Sequence, residues 1–299
     1  MKKILLLVVA VFLLFLVRIE LYAENNFIWE IEGGSSKMYL LGSIHLMPEE
    51  VYPLDEKIEA CFEEADVLAV EADPTTIDQT KVQQLVMEHG LYKDGETLQT
   101  NIDSVLYNRV AAIFGEFGLP MQQVNMYKPW FVSLNLAMLE FQKMKMSAEL
   151  GIDLHFLKAA KAKEMEIVEL ESGLGQLELL TSFPEDSQDE YLEYSLNNYE
   201  NVQEMINTMV RAWQTGNAKL MNTAIKQNML EFCKNMPAMQ DFYNKMFPDR
   251  DNKIVVKLDE MLKNSEKKTY FVVVGSGHLV GEDGLLKLLK DRGYKTKQL

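Results

Sequence analysis

Residues 269–278 read TYFVVVGSGH. Thr269–Val274 is a run of aromatic and β-branched residues, and it is the clearest strand in the chain. It breaks at Gly275-Ser276-Gly277-His278. A helical stretch, Glu282–Arg292, follows and stops at Gly293, a residue suited to the left-handed end of a helix. The same order recurs near the other end of the chain. There Lys37–Gly42 (KMYLLG) runs into Gly42-Ser43-Ile44-His45. Two apolar strands thus each end in a Gly-Ser-x-His turn.

Outward from these two strands, Phe27–Glu32 alternates in polarity and predicts a hairpin with Lys37–Gly42 through Gly33-Gly34-Ser35-Ser36. A helix is predicted from Pro53 to Ala65, a buried strand at Val67–Glu71 and a short helix over Gly151–Lys163. Glu166–Leu170 reads as a strand, Pro248–Lys263 as a helix and Tyr294–Gln298 as an edge strand. Two blocks, roughly 77–147 and 177–246, are helical throughout and read as insertions between strands. Strands alternating with helices predict an α/β fold. The expected architecture is a central mixed, largely parallel sheet with flanking helices and two helical insertions.

The length of 299 residues suits one large domain or two modest ones. With 47% hydrophobic and 25% charged residues, the chain is globular rather than disordered. Its 45 acidic and 30 basic residues give a charge of −15, which argues against a nucleic-acid or anionic-membrane binder. Two cysteines, Cys61 and Cys233, are too few for a disulfide scaffold, a Cys-type zinc site or an iron–sulfur site.

Residues 1–23 have the layout of a secretory signal peptide: Lys2 and Lys3, the apolar run Ile4–Val17, then Ala23 as the cleavage position. The run is shorter than the roughly 20 residues a membrane span needs. The expectation is an exported domain over residues 24–299 with no stable span after cleavage, an uncleaved N-terminal anchor being the alternative. Export makes a Cys61–Cys233 bridge chemically available. Cys61, on the apolar face of its helix, reads instead as a small buried hydrophobe.

Any histidine-based chemistry must use four residues, His45, His89, His155 and His278. In open α/β sheets ligands bind beyond the carboxyl ends of the strands, where His45 and His278 are both expected. Glu71 ends the VLAVE strand and would emerge at the same rim. Two histidines and a carboxylate are a common ligand set for a divalent metal, and the same groups can serve as general acid and base. His89, beside Gly90, suits a helix C-terminus. His155 either lines the site or packs. Glu169 and Glu171 alternate along a strand, so at most one of them faces the site. The chain has no G-x-S-x-G elbow, H-E-x-x-H helix or phosphate-binding loop of the G-x-x-x-x-G-K-[ST] type.

At Leu40–Pro48 (LLGSIHLMP), Val70–Asp73 (VEAD), Gly151–Phe156 (GIDLHF), Asp249–Asn252 (DRDN) and Val272–Leu289, the sequence resembles the TraB/PrgY/GumN family, which includes the Tiki proteases of animals. The resemblance implies an erythromycin-esterase-like fold. It also implies a metal-dependent peptidase that gathers two G-x-x-H histidines, a Glu and an Arg in one cleft. Carried onto this chain, these are His45, His278, Glu71 and Arg250. His45, His278 and Glu71 would hold the metal, with Glu71 and Arg250 acting in catalysis. The implied ion is Mn²⁺ or Co²⁺, and Zn²⁺ also suits such a set. Asp249 stands where the family commonly has Glu. The expected partner is a peptide or small-molecule substrate. The alternatives are a metal-free, esterase-like His/Glu hydrolase and a protein that sequesters a peptide without cleaving it.

Overall fold

The computed structural model describes residues 25–299, so the expected export segment lies outside the described residues. Six strands form one sheet in the order β4-β3-β5-β2-β1-β6. They are β1 Ile28–Glu32, β2 Lys37–Ser43, β3 Val67–Val70, β4 Glu166–Glu169, β5 Thr269–Gly275 and β6 Lys295–Gln298. The β2–β5, β3–β5 and β3–β4 pairs are parallel, whereas β1 runs antiparallel to β2 and to β6. This is the mixed, largely parallel α/β sheet that the sequence predicts.

β5 sits between β2 and β3, and residues Tyr270–Val274 are buried. A strand covered by helices on both faces has no solvent side, which explains why its sequence is apolar without alternation. The β1–β2 hairpin forms with Ile28 opposite Leu41 and Ile31 opposite Met38. The C-terminal tail closes the edge of the sheet as β6 against β1. The first helix is shorter than predicted, Glu56–Glu63, because Asp55 caps it by accepting from the Lys57 N–H at 2.8 Å.

The long connections from β3 to β4 and from β4 to β5 are helical, and they carry small cores of their own. One is built around Leu98, Val110, Phe114, Val132, Leu136 and Leu192. The other is built around Trp130, Phe183, Phe232, Met239, Phe242 and Phe247. Cys61 lies in the sheet core and Cys233 in the second helical core. Both are free, so the bridge considered from the sequence does not form. Cys61 is the buried hydrophobe that its helix face suggested. Among the described residues no helix is long and apolar enough to cross a membrane.

Candidate functional site

The parallel register decides where the Gly-Ser-x-His turns go. Ser43 of β2 pairs with Gly275 of β5, and Val70 of β3 pairs with Val273 of β5. Both turns and Glu71 therefore leave the sheet at the same end and nearly the same level. Gly275 is the floor of the resulting site. A Cβ placed on it would lie 3.1 Å from Glu71 Oε1, 3.5 Å from His278 Cδ2 and 3.9 Å from His45 Nε2. Both imidazoles and the carboxylate thus converge on one point, and only glycine leaves that point open.

Each imidazole is held by an acid at Nδ1. His45 donates to Asp153 Oδ1 at 3.1 Å, and His278 donates to Asp251 Oδ1 at 2.5 Å. Carboxylates only accept, so Nδ1 carries the proton and Nε2 is left to face the cleft. The two rings differ in environment. His278 is buried in the cleft floor with its Nε2 3.8 Å from Glu71 Oε1, whereas the His45 side chain is 61% exposed at the cleft surface. Protein crowding around His45 opposes its charge, but the Asp153 hydrogen bond and the nearby Asp153 and Glu71 charges prevail, raising its pKa to about 9.

Glu71 is engaged through both oxygens. Oε1 accepts the Gly275 N–H at 2.5 Å, and Oε2 accepts from Arg250 Nη2 and Gln176 Nε2, each at 2.8 Å. Burial penalises its charge, yet His278, His45, Arg250 and the Gly275 N–H hold its carboxyl down at about 2. Arg250 comes from the Pro248–Leu262 helix and also grips Glu171 through Nε and Nη2. Asp251, the next residue, is fully buried and pairs with Lys226 at 3.4 Å as well as with His278. Lys226 in turn pairs with Asp283 at 2.8 Å. Burial pushes the Asp251 carboxyl above its ordinary value, against the opposing pull of His278 and Lys226.

These shifts give a pH prediction. A carboxyl depressed on folding adds stability above its unfolded value, near 4.5 here, and loses it as the pH falls toward about 2. In urea titrations between pH 5 and pH 2, wild type is expected to lose more stability than Glu71→Gln. Parallel curves for the two proteins would contradict the assignment.

The residues predicted from the sequence, His45, Glu71, Arg250 and His278, all line one cleft of 480 Å³. His155 is elsewhere: its Nε2 meets Glu59 at 3.0 Å, and its ring stacks edge-on against Phe156. His89 ends the Val86–Gly90 helix, and its carbonyl accepts from Trp130 Nε1. Of the alternating pair, Glu171 faces the site and Glu169 faces solvent. Sequence reading missed Asp153, Asp251 and Gln176. Asp251 had a usable signal, an acid directly beside the singled-out Arg250; Gln176, in a helical block, had none. Larger depressions elsewhere, around Asp94 and Glu185 and around Arg109 and Glu140, are polar and hold none of these paired groups.

The GIDLHF turn proves to be a support for His45. Ile152 N–H donates to the Ile44 carbonyl at 3.2 Å. A Cβ on Gly151 would lie 2.3 Å from the His45 carbonyl oxygen and 2.9 Å from its carbonyl carbon. Backbone cannot swing aside as a side-chain tip can. Gly151→Ala is therefore expected to destabilise the protein by about 1–3 kcal/mol and to pull His45 away from Asp153. The His45 titration midpoint, followed by NMR, should then fall from about 9 toward 6.5. An unchanged midpoint would contradict the contact.

Among known proteins, residues 27–298 match the model of the TraB/PrgY/gumN family. The uncharacterized protein YbaP of Escherichia coli (strain K12) is 25% identical over 257 residues, covering 86% of this chain and 89% of its own. YbaP of Shigella flexneri matches to the same extent. No solved structure matches.

Proposed function

The chain belongs to the TraB/PrgY/gumN family, and from that membership and the cleft geometry we propose that it is an exported, metal-dependent hydrolase that cleaves peptides. The observation that carries the proposal is the convergence of His45, His278 and Glu71 beside Gly275. Its export half rests on the sequence of residues 1–23.

The donor chemistry suits a divalent ion. Two imidazoles have Nδ1 taken by carboxylates and Nε2 available, the arrangement by which acids orient metal-binding histidines. His45 and His278 would hold the ion together with Glu71. Mn²⁺ or Co²⁺ is favoured by the family resemblance, and Zn²⁺ also suits these donors. Among the described residues no three His, Cys, Asp or Glu side chains are drawn together closely enough to close on an ion as they stand. When bound, such an ion polarises a carbonyl and lowers the pKa of a coordinated water.

The protein's own groups account for the rest. Asp153 and Asp251 fix the two rings in one orientation and one tautomer. Glu71, ionised across the working pH range and held through both oxygens, supplies a fixed negative charge beside the two imidazoles. Arg250 holds Glu71 and Glu171 in place and sets a positive charge at the cleft wall, where a developing oxyanion is stabilised. The His45–Asp153 pair also supports a second reading, a metal-free hydrolase in which His45, deprotonated above about pH 9, is the general base.

The test is cleavage of a peptide library by the purified mature chain, read by mass spectrometry with and without Mn²⁺ or Co²⁺. Metal-stimulated cleavage that is lost in His278→Ala is the expected result. Cleavage insensitive to metal and chelator would move the assignment to the second reading, and no cleavage under any condition would sink both.

A further inference from the structure

In the Gly173–Thr181 helix of the cleft wall, Leu180 packs against the core around Trp130 and Phe183, whereas Leu177 and Leu179 join none of the cores. The helix sequence, GLGQLELLT, has four leucines in nine residues, yet Gly173 is its only buried residue. A helix this apolar is ordinarily covered. Here Leu177, Leu179 and Leu180 line the 480 Å³ cleft together with Met209, Met246 and Phe247. That volume falls in the range of about 300–1,000 Å³ typical of small-ligand sites. Gln176 ties the same helix to the centre, donating to Glu71 at 2.8 Å and to Glu171 at 3.2 Å. The leucines are thereby fixed beside the polar strip rather than free to drift from it.

The charges narrow the ligand further. Arg250 directs Nε and Nη2 to Glu171 and Glu71, so these donors are already engaged by two carboxylates. His45 is hydrogen-bonded to Asp153, and His278 to Asp251. The cleft therefore sets a narrow strip of mutually paired polar groups against a broad apolar wall. A carboxylate or ammonium group placed against that wall would lose hydration without gaining a partner.

We propose that the cleft takes an uncharged peptide segment carrying a large apolar side chain, leucine-sized or larger, next to the reacting bond. Leu177, Leu179 and Leu180 are its specificity-determining residues. The inference deepens the peptidase reading and rests on it, but its test measures binding alone.

The experiment compares the affinities of N-acetyl-Leu-Leu-amide and N-acetyl-Ala-Ala-amide for the full mature chain by protein-observed NMR. The dileucine probe is expected to bind about tenfold tighter or better. Leu177→Ser and Leu179→Ser, at half-buried positions outside the hydrophobic cores, should each remove most of that preference. Val105→Ser, at an exposed position on a distant helix, should leave it intact. Equal affinities in wild type, or a preference that survives both leucine replacements, would overturn the proposal. Selective binding without cleavage leaves this inference standing and removes the hydrolase. Cleavage without side-chain preference does the reverse.

Discussion

Replacing Arg250 with alanine is expected to destabilise the protein by about 3–5 kcal/mol, the scale for breaking a buried ion pair from one side. The reason is what it leaves behind. Glu71 and Glu171 both face the Arg250 guanidinium, and all three side chains are largely buried. Without the cation, two carboxylates share a low-dielectric space in which Gln176 is the remaining donor to both. Arg250→Lys should recover only part of the loss, because a single ammonium cannot make the forked contacts that Nε and Nη2 make. Adding Glu171→Gln to Arg250→Ala should also recover part, by removing one stranded charge. Urea unfolding midpoints read all three. A loss below about 1 kcal/mol, the scale of a surface ion pair, would mean that the cluster is far better hydrated than its burial indicates.

The second large effect concerns the paired histidines. If the two Gly-Ser-x-His turns form one centre, His45→Ala and His278→Ala should each lower metal-stimulated peptide cleavage by about 10³-fold. The double variant should be little worse than either single one, as is found for groups that act as a unit. Losses that multiply would indicate two independent contributions. His45→Ala should leave the fold intact, since His45 is largely exposed, whereas His278→Ala leaves the fully buried Asp251 with Lys226 as its partner, so urea unfolding of that variant is read beside its activity.

Much of this was legible in the sequence because each signal was local. Thr269–Val274, Lys37–Gly42 and Val67–Glu71 declare themselves as strands by apolar and β-branched content. His45 and His278 declare themselves by repeated glycine turns. The resemblance to the family added Arg250, which no periodicity would have selected. What could not be read was lateral order. Nothing local says that β5 lies between β2 and β3, yet that order brings together turns separated by more than two hundred residues. The supporting acids were hidden for the same reason. Asp153 and Asp251 are ordinary acidic residues near helix starts until the fold sets them against His45 and His278. His155, two residues past Asp153, drew the attention that its neighbour merited, since a helix points residues i and i+2 in different directions.

Direct titration of Mn²⁺ into the chelator-treated protein, residues 24–299, by calorimetry near pH 8, tests the central claim most sharply. One ion should bind per wild-type chain, with a proton displaced from His45 as it does so, and binding should vanish in both His45→Ala and His278→Ala. Failure of wild type to take up the ion, or uptake that persists after either histidine is removed, would contradict a shared metal centre at the ends of β2, β3 and β5.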